Sequence, residues 1–372
     1  MTDTPSQSWV EAYCVKIPKS LGEKAISILA KLDLLDRNLK ISRSSDFLFI
    51  PLKEKPSKWQ IDFIEKELPG FELSTQKFQG YVKSARSIIE VLEDKLPPHL
   101  LACLPRSIDF IGDIAILEIP EELEAYEQLI GEAVMKIFKR VRSVLVKSSG
   151  ITGIHRVRSY KVVAGSENTE TIHREYGCRY LLDPRKVYFS PRLSYEHYRV
   201  ASQVVEGETV IDMFAGVGPF SILIAKLHHN VAVYAIDINP DAVRYLEENI
   251  RMNKVEGKVI PILGDASEVI RTKLRSIADR VIMNLPEKAV EYIDAACMAL
   301  KPSGGIIHYY GFASGSYALE KSRSNLIEAI GRAGRVVDAV LSSRIMKEVA
   351  PYKWQVAVDV KVGGYANQHP RL

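Results

Sequence analysis

The stretch Thr209-Val210-Ile211-Asp212-Met213-Phe214-Ala215-Gly216-Val217-Gly218-Pro219-Phe220-Ser221 decides the fold. An apolar strand, Thr209 to Met213, runs into a turn of small residues and then into a helix. Gly216 and Gly218 let the backbone come close to a ligand, and Pro219 suits the first turn of a helix, where its missing N–H is not needed. The stretch reads as the floor of a site for a nucleotide-like cofactor. About 20 residues on, a second apolar strand, Val231 to Ile236, ends at Asp237, an acidic group placed to accept two hydrogen bonds from a ribose diol. The spacing fits NAD and S-adenosylmethionine alike. Ser221 stands where the third glycine of Gly-x-Gly-x-x-Gly would fall, so no pyrophosphate need be cradled.

Outward from this turn, apolar strands are expected at Val259 to Leu263, Arg280 to Met283 and Gly305 to Tyr310, with helices filling the gaps, as in a parallel sheet covered on both faces. Upstream, Ser190 is placed to cap a helix begun by Pro191, with Leu193, Val200 and Val204 on one apolar stripe. Downstream, a helix from Tyr317 to Ala333 precedes strands at Val336 to Ser343 and Trp354 to Val362. Their short Pro-containing connection predicts an antiparallel pair, because a parallel pair needs a crossover. Seven strands ending in a hairpin outline a Rossmann-like α/β sheet of the class I methyltransferase type.

The 372 residues are too many for one ordinary domain. Residues 1–80 alternate strand-like runs (Glu11 to Ile17, Phe47 to Leu52) with a helical pattern at Leu21 to Leu35, which makes a small α+β domain. From Lys77 the chain reads as helical and charged up to Pro97-Pro98. A second α+β domain, residues 81–183, carries strands at Asp113 to Ile119, Val141 to Val146, His155 to Ala164, Thr169 to His173 and Arg179 to Leu182, with a helix from Glu121 to about Lys139. Residues 184–372 form the Rossmann-like domain. Hydrophobic residues at 47% and charged residues at 26% are ordinary for a soluble globular chain and argue against disorder and against a membrane span. The polar start, Thr2 to Ser8, has no targeting core, so a cytoplasmic protein is expected. Cys14, Cys103, Cys178 and Cys297 lack metal or redox spacing, so they read as reduced structural thiols, and no metal site is expected. A net charge of +4 permits nucleic-acid binding without requiring it. Lys136, Lys139, Arg140, Arg142 and Lys147, interleaved with apolar residues, form either a basic binding face or a solvated helix face.

Polar groups end three successive strands. Besides Asp237, Asp265 in Leu263-Gly264-Asp265-Ala266 is placed to accept from the amino group of an adenine, and Asn284 in Asn284-Leu285-Pro286 lies at the carboxyl edge where open α/β sheets bind ligands. Each alone is a common turn residue; together with the Gly216 turn they form a coherent pocket. Enzymes that methylate adenine amino groups carry an aromatic residue after such an Asn-x-Pro run, to stack on a flipped base. Glu287 takes that place here, which argues against adenine N6.

Lys186-Val187-Tyr188-Phe189-Ser190-Pro191-Arg192-Leu193 with Glu196, then Asp212 to Pro219, Ala235-Ile236-Asp237-Ile238-Asn239-Pro240 and Asn284-Leu285-Pro286, resemble the tRNA (guanine-N1)-methyltransferases of archaea and eukaryotes. The resemblance covers roughly residues 100 to 360, and more loosely the first domain of three-domain archaeal members. It implies S-adenosylmethionine as cofactor, tRNA as partner, and methyl transfer to N1 of the guanine at position 37. Guanine N1 is protonated at neutral pH, so a base must remove its proton as the methyl arrives; the resemblance gives Glu196 that role. From the residues alone, Glu196 reads as a solvated helix carboxylate. Negative charge then falls on O6, where a fixed cation lowers the barrier, and Arg156 matches the family arginine for it. Arg158, two residues on in the same strand, is left to phosphate binding or solvent. Asn284 would meet the guanine edge. Around the cofactor the pattern places Tyr188, Arg192, Phe214, Gly216, Asp237, Ile238, Asp265, Ala266, Asn284 and Pro286, with His197 toward the cofactor carboxylate. No metal is implied, and a monomer is expected. Two other readings stand beside this one. Wyosine-pathway relatives transfer an aminocarboxypropyl group or methylate a carbon of the tricyclic base on the same scaffold; an RNA-binding protein can also keep the fold without activity.

Overall fold

The computed structural model describes residues 9–80, 87–152 and 157–365, with backbone alone at 149–152 and 157. The described residues fall into two compact units that divide between residues 86 and 87. In the first, strands Ser42–Arg43, Phe47–Pro51, Trp9–Pro18 and Glu72–Gln79 lie side by side in that order, all antiparallel. Alternate residues Val15 and Ile17, with Ile50, meet Leu29 of helix Gly22–Lys31 and Ile64 of helix Lys58–Glu67 in a closed core. A Ser57–Gln60 capping box opens the second helix. Lys77, expected to begin a helical stretch, instead belongs to the strand ending at Gln79, where it pairs with Glu11.

The second unit contains the remaining sheets. A four-stranded sheet has the order Asp109–Ile111, Ile114–Leu117, Ser143–Thr152, Val157–Gly165, with helix Glu127–Ile137 connecting its one parallel pair. The helix expected from Glu121 starts as a 3-10 turn, Glu121–Tyr126, and becomes α-helical only from Glu127. Ser190 makes no side-chain cap; Pro191 opens a short 3-10 turn, and the helix runs Ser194–Ala201. Leu193, Val200 and Val204 of the expected stripe are all buried.

The large sheet has seven strands: β1 Thr209–Asp212, β2 Ala232–Asp237, β3 Val259–Leu263, β4 Arg280–Met283, β5 Gly305–Ser314, β6 Arg335–Ala350 and β7 Lys353–Tyr365. Their order is β3-β2-β1-β4-β5-β7-β6, with β1 to β5 parallel and the last two antiparallel. Side chains alternate between the faces. Val210, Val233 and Ile282 enter one buried cluster, while Ile211, Ile236, Val281 and Met283 enter another. Both faces are therefore covered, and these strands read as continuous apolar runs rather than alternating ones. The final hairpin is longer than the expected strands, because it continues past the body of the sheet with several register shifts.

The order of winding reverses between the parallel neighbours β1 and β4, so their carboxyl ends frame a crevice. The two glycines after β1 serve different needs. Gly218 has φ +92°, and a Cβ there would lie 2.5 Å from Leu246 and 2.9 Å from Ile222, so helix Pro219–Leu227 packs on helix Pro240–Asn253 only because this side chain is missing. Gly216, at φ +56°, faces open space, with the Tyr188 carbonyl oxygen the nearest atom at 3.7 Å. Replacing Gly218 by Ala should cost roughly 2–4 kcal/mol through strain and overpacking. Chemical denaturation would show a lower midpoint, and an unchanged one would refute the packing role.

Candidate active site

A cavity opens at the β1–β4 crevice, and most of the sequence-predicted cofactor residues line it: Tyr188, Phe214, Gly216, Asp237, Ile238, Asp265, Ala266 and Asn284. Asp237 holds its floor in shape. One carboxylate oxygen accepts from the Gly216 N–H at 2.7 Å and the other from the Asn239 N–H at 2.9 Å, which ties the end of β1 to the end of β2. Asn239 extends the tie. Its Oδ1 accepts from Asp241 N, capping the next helix, and its Nδ2 donates to the Lys186 carbonyl, fixing the segment that carries Tyr188. Asp265 caps helix Ala266–Lys273 by accepting from Glu268 N, and its second oxygen receives the Tyr292 hydroxyl at 3.3 Å. Tyr292 also meets Phe214 edge-on at 5.0 Å, making an aromatic wall. Asn284 is partly exposed at the end of β4, and its amide has no hydrogen bond within the described residues.

Pro286 and Arg192 lie outside this cavity. They line a second, larger cleft, about 340 Å³ against about 140 Å³, which shares Tyr188 and Glu287 with the first. Arg192 is paired there with Asp109 at 2.6 Å. His197 reaches neither space, contrary to expectation. It is buried, its Nδ1 is 2.7 Å from a Glu175 carboxylate oxygen, and its ring packs edge-on against Phe220. Neighbouring helix residues point to different faces, so standing next to Glu196 in sequence does not put His197 near the ligand. Arg156 lies outside the described residues.

Glu196 is neither solvated nor open to the cavity. It is 4% exposed, and its Oε2 accepts from the Tyr310 hydroxyl at 2.9 Å, from Arg199 at 3.1 Å and from Arg344. Its Oε1 accepts from Arg344 at 2.5 Å. Behind it a chain of charges crosses the sheet. Arg199 donates to Asp359 on β7, Asp359 accepts from His308 Nδ1 at 2.7 Å, His308 Nε2 accepts from Arg280 at 2.8 Å, and Arg280 pairs with Glu208. An arginine can only donate, so His308 is neutral with its proton on Nδ1. Burial lowers its basicity in the same sense. Burial also opposes ionisation of Asp359, but His308 and Arg199 outweigh it and hold its pKa near 2.

Comparison with known proteins places this geometry. Residues 171–337 match the model of the TRM5/TYW2 methyltransferase domain, residues 88–169 that of the TYW2 N-terminal domain, and residues 14–60 that of the tRNA methyltransferase 5 N-terminal domain. The tRNA (guanine(37)-N(1))-methyltransferase Trm5b of Pyrococcus abyssi is 43% identical over 348 residues, spanning 94% of this chain and 98% of that protein. The chain belongs to the TRM5/TYW2 methyltransferase family.

Other members of the family are similar over much of the chain. A solved complex of aTrm5 with tRNALeu is 36% identical, covers 94% of this chain and 99% of its own, and superimposes with a TM-score of 0.79. The structure of Methanocaldococcus jannaschii TYW2 with AdoMet is 33% identical over 69% of this chain and all of its own, with a TM-score of 0.54. A tRNA(Phe) (4-demethylwyosine(37)-C(7)) aminocarboxypropyltransferase of the same organism is 37% identical but spans only 68% of this chain, and 96% of its own length.

Sequence reading missed the partners of Glu196. Arg199 stands three residues on in the same helix, but Tyr310 and Arg344 come from two separate strands that no local pattern links to Glu196. Asn239 was also missed, although Asn before Pro is an N-cap signature that marks it. No helix among the described residues is long and apolar enough to cross a membrane.

Asp212, at the end of β1, is wholly buried beneath the glycine turn. Its Oδ2 accepts from Ser221 at 2.8 Å, while its Oδ1 has no partner among the described residues. Burial pushes its pKa up to about 7, against the hydrogen bonds it accepts. Below about pH 4 it is protonated in both folded and unfolded chains; between there and pH 7 only the folded chain keeps the proton, so stability falls as pH rises. Asp212→Asn carries no such penalty. Its thermal midpoint relative to the parent should climb between pH 5 and pH 8, by the equivalent of roughly 2–4 kcal/mol; a gap that does not change with pH would remove burial as the cause. Asp237→Ala should lose binding of S-adenosylmethionine by calorimetry, because both the ribose acceptor and the anchor of the Gly216 turn disappear. Unchanged affinity would overturn the ribose assignment.

Proposed function

We propose that this protein transfers the methyl group of S-adenosylmethionine to N1 of the guanine at position 37 of tRNA. The observation that carries the reading is coverage. The likeness to a guanine(37)-N1 methyltransferase extends through 94% of the chain, first unit included, while that to the aminocarboxypropyltransferase extends through 68%. The site suits the reaction. A cavity whose floor is a glycine turn held by Asp237, with Asp265 at its side, fits the adenosine of the cofactor, and when bound the cofactor supplies a methyl group already activated on a sulfonium.

The residues of this chain have the remaining tasks. Asn284 offers its amide, without a partner among the described residues, to the guanine edge from the end of β4, which favours guanine over adenine. Glu196 takes the N1 proton. Its Oε2 is fixed by Arg199 and Tyr310, whereas Oε1 is held by Arg344 alone among the described residues, so withdrawal of that one guanidinium exposes a basic oxygen on a carboxylate that stays oriented. Arg156 is assigned to the charge developing on O6. We assign the protein to the cytoplasm as a monomer that needs no metal.

Labelled S-adenosylmethionine and unmodified transcripts with guanine or adenine at position 37 test this reading. One-methylguanosine should form from the guanine transcript only, and Glu196→Gln, which keeps the shape of the side chain, should slow single-turnover transfer by roughly 10²–10⁴-fold. Product that appears only with a wyosine precursor would transfer the assignment to the other branch of the family.

A further inference from the structure

The second cleft carries more positive charge than its protein partners neutralise. Five cations line it, Lys147, Arg158, Arg192, Lys347 and Lys353, against two carboxylates, Asp109 and Glu287. Three of the cations are committed within the chain. Arg192 pairs with Asp109, Lys147 pairs with Glu118 at 2.9 Å, and Lys353 lies over the Phe312 ring at 5.2 Å. Lys347 and Arg158 have no acceptor among the described residues, and both are only partly exposed. The burial of Lys347 is not an accident of a flexible surface side chain. It sits on β6 opposite Gln355, directly after a register shift that follows Ile345, and such a bulge re-aims the side chain behind it. Burial and the neighbouring Arg192, Lys147 and Arg158 charges all act against its ammonium, outweighing Asp109, so its pKa is lowered. A half-buried cation without a partner is costly unless an anion arrives.

We propose that Lys347 and Arg158 form a phosphate-binding subsite that grips an RNA phosphodiester beside the nucleotide presented to the cofactor cavity. The inference rests on the reading of the protein as a tRNA methyltransferase and adds the group that seats the backbone. Three features favour a phosphodiester over the other available anion, the carboxylate of the cofactor. The cofactor cavity has a cation of its own, Lys288. The cationic cleft is the larger space and has aromatic walls, Tyr160, Phe189 and Phe312, as nucleotide sites do. It meets the cofactor cavity at Tyr188, so a nucleotide anchored in one extends toward the other.

The test is equilibrium binding of the unmodified transcript at several salt concentrations, alongside calorimetric binding of S-adenosylmethionine, for Lys347→Met, Lys347→Arg and Arg158→Met in the full chain. Each Met variant should weaken tRNA binding and reduce the slope of log K against log salt by about 1, as expected for one lost phosphate contact. Lys347→Arg should keep the parent slope, and cofactor affinity should be unchanged throughout. A thermal midpoint no lower than the parent for Lys347→Met is expected, since the change removes a half-buried charge; if that variant does not fold, Arg158→Met carries the same test. An unchanged salt slope, or a loss confined to cofactor affinity, overturns the subsite. The readout is binding, so failure of methyl transfer and failure of the subsite register separately.

Discussion

The site depends on one carboxylate accepting two backbone N–H groups. Asp237 ends β2, yet its bonds to Gly216 and Asn239 bind the turn after β1 to the start of the next helix. Charge-assisted bonds of this kind are stronger than neutral ones, and here they fix the backbone of the glycine turn. Asn239 carries the restraint on to the Lys186 carbonyl, and through it to Tyr188. The acid is thus structural before any ligand is present. The same group borders the cavity, because the strand end that shapes the floor also lies at the crevice, and this is the position from which it is proposed to accept from a ribose.

A second restraint holds the carboxylate proposed as base. The row Glu208, Arg280, His308, Asp359, Arg199 and Glu196 is assembled from β4, β5 and β7 themselves, with Glu208 just ahead of β1 at one end and helix Ser194–Ala201 at the other. Each charge has an opposite or neutral polar partner at hydrogen-bond distance, the condition under which buried ions are tolerated. Such a row contributes less to net stability than to geometry, since removing one member strands the next in a poorly solvated place. It fixes helix Ser194–Ala201 in orientation against β5 and β7, and with it Glu196. The Arg344 contact differs in kind. It comes from the far part of the final hairpin, with a side chain that is 28% exposed, so it can leave without dismantling the rest.

That hairpin links the two charged regions. Arg344 and Lys347 stand three residues apart on β6, on opposite sides of a register shift. One meets the buried carboxylate and the other enters the cationic cleft. The edge of the sheet therefore does more than close the fold, since it supplies cations to both the carboxylate proposed as base and the cleft proposed to hold RNA.

The sequence by itself determined the seven-stranded sheet, the glycine turn and the acids at its strand ends. Strand-and-turn patterns are local: apolar runs such as Val281-Ile282-Met283 declare burial on both faces, and Gly218 declares a left-handed position. The cofactor cavity was legible for the same reason, because strand ends in a parallel sheet converge wherever the topology reverses. Tertiary structure alone decided the fate of charged residues. Glu196, which from the residues alone read as solvated, and His197, which the resemblance turned toward the cofactor, are both buried, one clamped by Arg344 and Tyr310 and the other by Glu175. Lys347 fell in the expected connection between the last two strands, and only the fold extended the strand through it and brought Lys147, Arg158 and Arg192 around it. Hydrophobic periodicity records which way a side chain points; the partner of a buried charge comes from distant parts of the chain, and only the folded chain brings it near.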